Sequence, residues 1–361
     1  MPLKNDLVFL NIRIRLLCEY FKMSKLLYIF AKFERRVVMK RLFSTLIFTF
    51  LACSAMFAAS DKNLVFLCFG QSNMEGNAKA ESVDAWSGRR FQKMYAANSD
   101  GSKMGTWDIA NPPLARQGTG LTPVDYFGRY LVDSLARTYQ VRVIVVAVAG
   151  CSMKLFDKST YASYLENDAA DWLQNIAKEY DGNPYQRLID LAKKAQRTGV
   201  ISGILIHQGE TDAYSNEWLN RVKKIYNDIL TDLELNAADV PLLAGEVVHA
   251  DQNGACSGAN STIDRLPSWI STAHVISSKG CPAGPDKLHF TAEGYRMLGR
   301  RYGAKMFELL KAKGIPSKTS VNDIIAQPEK AGSIFDMNGR PQTAPFEGLQ
   351  IIDGHKVYYA Y

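Results

Sequence analysis

The 361-residue sequence has no internal repeat and no low-complexity tract, which sets aside solenoids, propellers and disordered tails. Histidine is scarce, at five residues, and cysteine numbers only six. None of the cysteines has metal-ligand spacing, and the His207 of "HQGE" is not followed by a second histidine at helical spacing. Zinc-ribbon and His-Glu-x-x-His zinc patterns are therefore missing. A charge bias is missing as well, once the N-terminus is separated. Of 43 Lys/Arg and 36 Asp/Glu, residues 1–42 hold ten and three, so the remainder balances at 33 of each. The net charge of +7 belongs to that N-terminus, and the rest carries no electrostatic footprint for nucleic acid. The apolar run from Leu42 to about Phe57 is short for a membrane span.

What is present is an ordinary globular composition, 47% hydrophobic and 22% charged, with enough chain for a sizeable core. The stretch "MKRLFSTLIFTFLACSAMFAAS" has Lys40 and Arg41, an apolar run, then the small residues Ala58, Ala59 and Ser60. This is the layout of an export signal at 39–59. Residues 1–38 make no sense upstream of it and are expected to be a spurious extension. No stable membrane insertion is expected after signal removal. Four cysteines remain beyond the signal, an even number in an exported chain. Cys256 and Cys281 lie in Gly/Pro/Ser-rich sequence and form the favoured disulfide, whereas Cys68 sits in a strand as a small apolar residue.

Five apolar, β-branched runs recur: "LVFLCF" (64–69), "VRVIVVAVAG" (141–150), "ISGILIH" (201–207), "VPLLAGEVV" (240–248) and "AHVISS" (273–278). Runs without alternation suit strands covered on both faces. Between them, "PVDYFGRYLVDSLARTY", "PYQRLIDLAKKAQRTG", "NEWLNRVKKIYNDILTDLEL" and "TAEGYRMLGRRYGAKMFELLKAKG" carry helical spacing. The alternation predicts an α/β domain over 60–314, a parallel sheet with helices on both faces. Sites in such sheets form at the carboxyl edge. Gly70-Gln71-Ser72, Gly150, His207-Gln208 and Glu246 occupy that edge. Residues 315–332 read as a linker, and 333–361 as a short β-rich tail with turns at Asn338-Gly339 and Asp353-Gly354.

Three blocks carry chemistry. Ser72 follows the first strand in "FGQSNMEG", "HQGETD" follows the third run, and "DKLHFTAEGY" precedes the last helix. A serine nucleophile needs a base, and His289 has Asp286 three residues earlier to hold its tautomer. Thr291 is the expected cap of the helix that follows. Oxyanion donors are expected from the Ser72 N–H, from a glycine of "RQGTGLTPVDYFG" (Gly120 first, Gly118 second) and from the Gln208 side chain. Singly, each residue is as readily a turn, cap or loop-bonding group; in this order, at one sheet edge, they point to acyl transfer. His249 and His274 lack such a setting.

Together the three blocks resemble those of the SGNH (GDSL-like) hydrolases, over about residues 62–312. They look most like the branch of family-six acetylxylan esterases and sialate O-acetylesterases. The resemblance implies a three-layer α/β/α sandwich with a flavodoxin-like sheet and hydrolysis of O-acetyl esters on polysaccharide or oligosaccharide. Acetylated xylan is the first choice and acetylated sialic acid the alternative. It implies Ser72 as nucleophile, His289 as base, Asp286 as supporting acid, and Ser72, Gly120 and Gln208 as oxyanion donors, with no cofactor or metal. Glu210 is a second candidate acid. A non-catalytic surface glycan-binding protein is the rival from another class. The segment "GLQIIDGHKVYY" more loosely resembles C-terminal sorting segments of secreted bacterial proteins, which implies delivery outside the cell or to its surface.

Overall fold

The computed structural model describes residues 24–25, residues 60–318 and the backbone of four strands between 334 and 359. The expected extension at 1–38, the signal at 39–59 and most of the 315–332 linker lie outside the described residues, Ser24 and Lys25 excepted. The chain divides into two units, Met1–Ser60 and Asp61–Tyr361, and the second carries the fold.

Seven strands form its main sheet: β1 (Asn63–Gly70), β2 (Phe91–Met94), β3 (Trp107–Ile109), β4 (Gln140–Ala147), β5 (Val200–His207), β6 (Leu242–Gly245) and β7 (Ala273–Ile276). Their order is β3-β2-β4-β1-β5-β6-β7. All neighbours are parallel except β3, which runs antiparallel on β2 at the edge. Five strands coincide with the five apolar runs. The central strand explains why those runs lack alternation. Val65, Leu67 and Phe69 enter a core with Leu188 and Ile225, while Leu64, Phe66 and Cys68 enter a second core with Phe127 and Leu298. Both faces are covered, so every position is apolar.

The helices are α1 (Ser72–Glu75), α2 (Pro123–Ser134), α3 (Tyr161–Asn167), α4 (Asp171–Lys178), α5 (Pro184–Gln196), α6 (Trp218–Asp232), α7 (Asn260–Ile263) and α8 (Ala292–Ala312). Helices α2 and α8 pack on one face of the sheet, α5 and α6 on the other. Local signals set their starts. Thr122 and Asp125 form a capping box with Pro123 at the first helical position of α2. Thr291 Oγ1 accepts from Gly294 N at 3.2 Å to cap α8. Glycines bring these two helices into close contact. A Cβ at Gly299 would lie 2.3 Å from the Pro123 carbonyl oxygen, and one at Gly303 2.7 Å from Tyr130 Cβ. The approach fixes α8, and with it the loop just ahead of it, against the sheet.

Two expectations change. β2 and β3 add two strands to the five expected from the apolar runs, because "FQKM" and "WDI" are too short and too polar to make such a run. The Cys256–Cys281 disulfide is not formed, and the four cysteines beyond residue 60 are free thiols. Cys281 is buried in the α2/α8 core, whereas Cys256 packs against the core on the opposite face of the sheet. In the tail, β8 (Ile334–Phe335), β9 (Pro341–Gln342), β10 (Gly348–Ile352) and β11 (His355–Tyr359) form an antiparallel sheet of order β11-β10-β8-β9. Ile352 pairs with His355, so the connection falls at the expected Asp353-Gly354 position.

Candidate active site

β1 leaves the sheet at Gly70, whose φ of +151° disfavours any side chain. A Cβ there would lie 2.1 Å from the His207 carbonyl oxygen at the end of β5. Gln71 N donates to that same oxygen at 3.1 Å. The chain then turns into α1, with Ser72 as its first residue, at the carboxyl edge of the sheet.

Two further residues reach that serine in series. The Ser72 Oγ and His289 Nε2 are 2.8 Å apart, and His289 Nδ1 is 2.6 Å from Asp286 Oδ2. The other carboxylate oxygen, Oδ1, accepts from Leu288 N and His289 N, each at 3.0 Å. Partial burial pushes the Asp286 carboxyl up, but the hydrogen bonds from the His289 ring and the two backbone N–H groups outweigh it and hold the group at about 2. A fixed anion on Nδ1 keeps the proton there and aims the Nε2 lone pair at Ser72 Oγ.

Asn73 braces this pair from beneath. Its Nδ2 donates to Glu210 Oε1 and, at 2.9 Å, to the Leu288 carbonyl. Its Oδ1 accepts from Tyr295 OH at 2.6 Å and from Phe290 N at 3.4 Å. One fully buried amide therefore ties the serine loop to both neighbours of His289. Glu75 does the same for the adjoining turn. It pairs with Arg116 at 2.7 Å and accepts from Ala149 N–H; burial raises its pKa, and these partners oppose the rise.

Of the residues singled out in the sequence, Ser72, His289 and Asp286 are brought together, and three others are not. Among the described residues Glu210 makes no hydrogen bond to His289; its Oε1 is taken by Asn73, although the side chain lines the cleft. The Gly120 N–H is spent on the Gly76 carbonyl at 2.8 Å, so it is no oxyanion donor. The Gln208 amide donates to Asp212 Oδ2 at 2.7 Å and Cys151 O at 3.3 Å and accepts from Trp218 Nε1, which buries it as a structural brace. The free donors are elsewhere. Among the described residues, the N–H groups of Ser72 and Gly150 and the Gln71 Nε2 meet no protein acceptor, and all three residues line the cleft. Gly150 and Gln71 were legible as residues of the carboxyl edge but not as donors.

The cleft has a volume of about 380 Å³, with Trp172, Thr211, Cys256 and Leu288 also among its walls. A separate cavity of about 430 Å³, walled by Lys93, Tyr95, Asp108 and Arg116 among others, contains none of Ser72, His289 and Asp286. His249 bonds Asp251 at 3.1 Å and His274 lies in β7; neither lines the cleft.

The frame is an α/β/α sandwich around a mostly parallel sheet, and the class of protein it carries is a carboxylic ester hydrolase. More narrowly, residues 62–308 match the family described as carbohydrate esterase, sialic acid-specific acetylesterase, and the chain belongs to that family. It is thus a carbohydrate acetylesterase. Among solved structures, a protein from Arabidopsis thaliana is similar at 17% identity and a TM-score of 0.53, covering 69% of this chain and 99% of that one. NanS is similar at 15% identity and a TM-score of 0.50, covering 70% of this chain and 99% of its own. At such identities the likeness concerns the fold.

Proposed function

We propose that this protein is an exported serine esterase that removes O-acetyl groups from neutral sugars, with acetylated xylan as its first substrate. The observation that carries the chemistry is the Ser72–His289–Asp286 chain, with spacings of 2.8 and 2.6 Å, opening into a cleft. Ser72 Oγ attacks the acetyl carbonyl carbon while His289 Nε2 takes its proton. The oxyanion is received by the Ser72 and Gly150 N–H groups and the Gln71 amide. The C–O bond to the sugar breaks as His289 returns the proton to the departing alkoxide, leaving acetyl-Ser72. His289 then takes a proton from a water as that water attacks the acetyl carbon, and it passes the proton to Ser72 Oγ as the acyl C–O bond breaks, releasing acetic acid, which ionises to acetate. Asp286 stays anionic throughout and stabilises the imidazolium.

The choice of a neutral sugar is supported by the cleft's lining, in which Glu210 and His289 are the ionisable groups besides the thiol of Cys256. A sialic acid would bring its carboxylate near Glu210 without a lysine or arginine to offset it. The sialate reading is favoured instead by the family description. Export rests on the 39–59 signal, and delivery to the surface on the 333–361 tail.

The test is acetate release from acetylated xylan and from O-acetylated sialic acid, with the Ser72→Ala variant beside the parent. Release from xylan, lost in the variant, is the expected result. Release from sialic acid alone would overturn the neutral-sugar choice. Release that survives Ser72→Ala would overturn the nucleophile.

A further inference from the structure

Large apolar side chains are exposed at five described positions: Val83, Met104, Trp172, Val200 and Tyr214. Of these, Trp172 alone lines the cleft that holds Ser72. It is the second residue of α4, and 54% of its surface is open to solvent. The helix is anchored without it, through the buried side chains of Leu173 and Ala177. The indole lies over Gly150. A Cβ built there would fall 2.4 Å from Trp172 Cη2 and 3.3 Å from Cζ2. The benzo edge of the ring thus rests on the turn that carries the Gly150 N–H. Its own indole N–H meets no protein acceptor among the described residues.

Leaving an indole half in water beside a reactive serine forgoes burial free energy that a ligand would recover. The C–H-rich face of a pyranose matches a flat aromatic surface, and a sugar hydroxyl matches the indole N–H. We propose that Trp172 is the sugar platform of the cleft and takes the face of the neutral pyranose that bears the acetyl ester. This rests on the serine esterase reading above. Trp172 then sets affinity for the carbohydrate, while Ser72, His289 and Asp286 set the chemistry.

The experiment compares two substrates: an acetylated xylo-oligosaccharide and glyceryl triacetate, an ester with no ring to stack. Trp172→Ala is expected to raise KM for the oligosaccharide about three- to tenfold, with kcat held within about twofold. Triacetin, which offers no ring face to stack, should lose clearly less than the oligosaccharide, and Trp172→Phe should restore most of the oligosaccharide affinity. Tyr214→Ala, an exposed aromatic outside the cleft, should alter neither. Binding is read separately: the Ser72→Ala protein is titrated with the oligosaccharide by tryptophan fluorescence, and the response should vanish when Trp172→Phe is added. An unchanged KM, an equal loss on both substrates, or a fluorescence response that persists without Trp172 would overturn the platform. If the parent cleaves neither ester, the esterase reading fails, and the fluorescence titration still decides the platform.

Discussion

Replacing Asn73 by alanine would remove the amide that joins three segments far apart in the chain. Three of its bonds are short: to Glu210 Oε1, to the Leu288 carbonyl at 2.9 Å and from Tyr295 OH at 2.6 Å. The contact with Phe290 N, at 3.4 Å, adds little. Leu288 and Glu210 line the cleft. Tyr295 is wholly buried, and burial holds its hydroxyl well above the usual phenol range, so it stays a donor with no replacement acceptor. An orphaned buried donor costs about 1–3 kcal/mol, and the lost amide packing adds to it, for about 3 kcal/mol in all. In a domain of this size that is a fall in Tm of roughly 6–12 °C. Activity should fall too, because Leu288 and Phe290 flank His289. A displacement approaching 1 Å costs up to about a hundredfold, so kcat should drop by roughly 10- to 100-fold. Adding Tyr295→Phe removes the orphan, so the double variant should lose at least about 1 kcal/mol less than the sum of the singles. Thermal melts and acetate-release kinetics on the four proteins decide it. A Tm within about 1 °C of the parent with unchanged kcat, or strictly additive losses, would refute the role given to Asn73.

Asp286→Asn should lower kcat/KM by about 10³- to 10⁴-fold, since the anion on His289 Nδ1 is lost; Glu210→Gln should cost less than about tenfold, and the reverse order in acetate release would exchange their roles. Burial raises the Asp125 carboxyl to about 7 from an ordinary 3.8, against the bond from Thr122 N–H. The folded state therefore keeps a proton that the unfolded state has shed, and stability should fall as pH rises between about 4 and 7. Asp125→Asn keeps an acceptor for Thr122 and should remove that fall; melts at pH 5 and pH 8 with the same slope as the parent would contradict it. Thiol titration in denaturant of the chain from Ser60 should find four thiols with or without prior reduction. Two thiols in the unreduced sample would establish a disulfide.

The strands β1, β4, β5, β6 and β7 could be read from sequence because both faces of the sheet are covered, so their runs are largely apolar without alternation. β2 and β3 could not. Their places are set by partners, since β2 is held between β3 and β4 rather than by its own "FQKM". The order Ser72, Asp286, His289 along an alternating chain pointed to one sheet edge, and those three side chains meet there. Side-chain wiring was beyond reach. Nothing in "HQGETD" says that Gln208 turns inward to Asp212 and Trp218 while Glu210 turns to Asn73. The Gly120 donor failed because its N–H closes a turn on Gly76, and the Cys256–Cys281 pairing failed because loop composition says nothing about which side of a sheet a cysteine faces.

The relay is uneven in how far along the chain its parts are drawn. Asp286 and His289 are three residues apart, and their own turn supplies the backbone donors that hold the carboxylate. Ser72 and His289 are separated by 217 residues, with strands β2 to β7 between them, and meet only once that sheet is assembled. Local opening of the segment ahead of α8 would carry base and acid off together and leave the serine behind. Mild denaturant should therefore silence the enzyme before its core strands unfold, and dilution should restore it at once. The intact pair needs only to dock again.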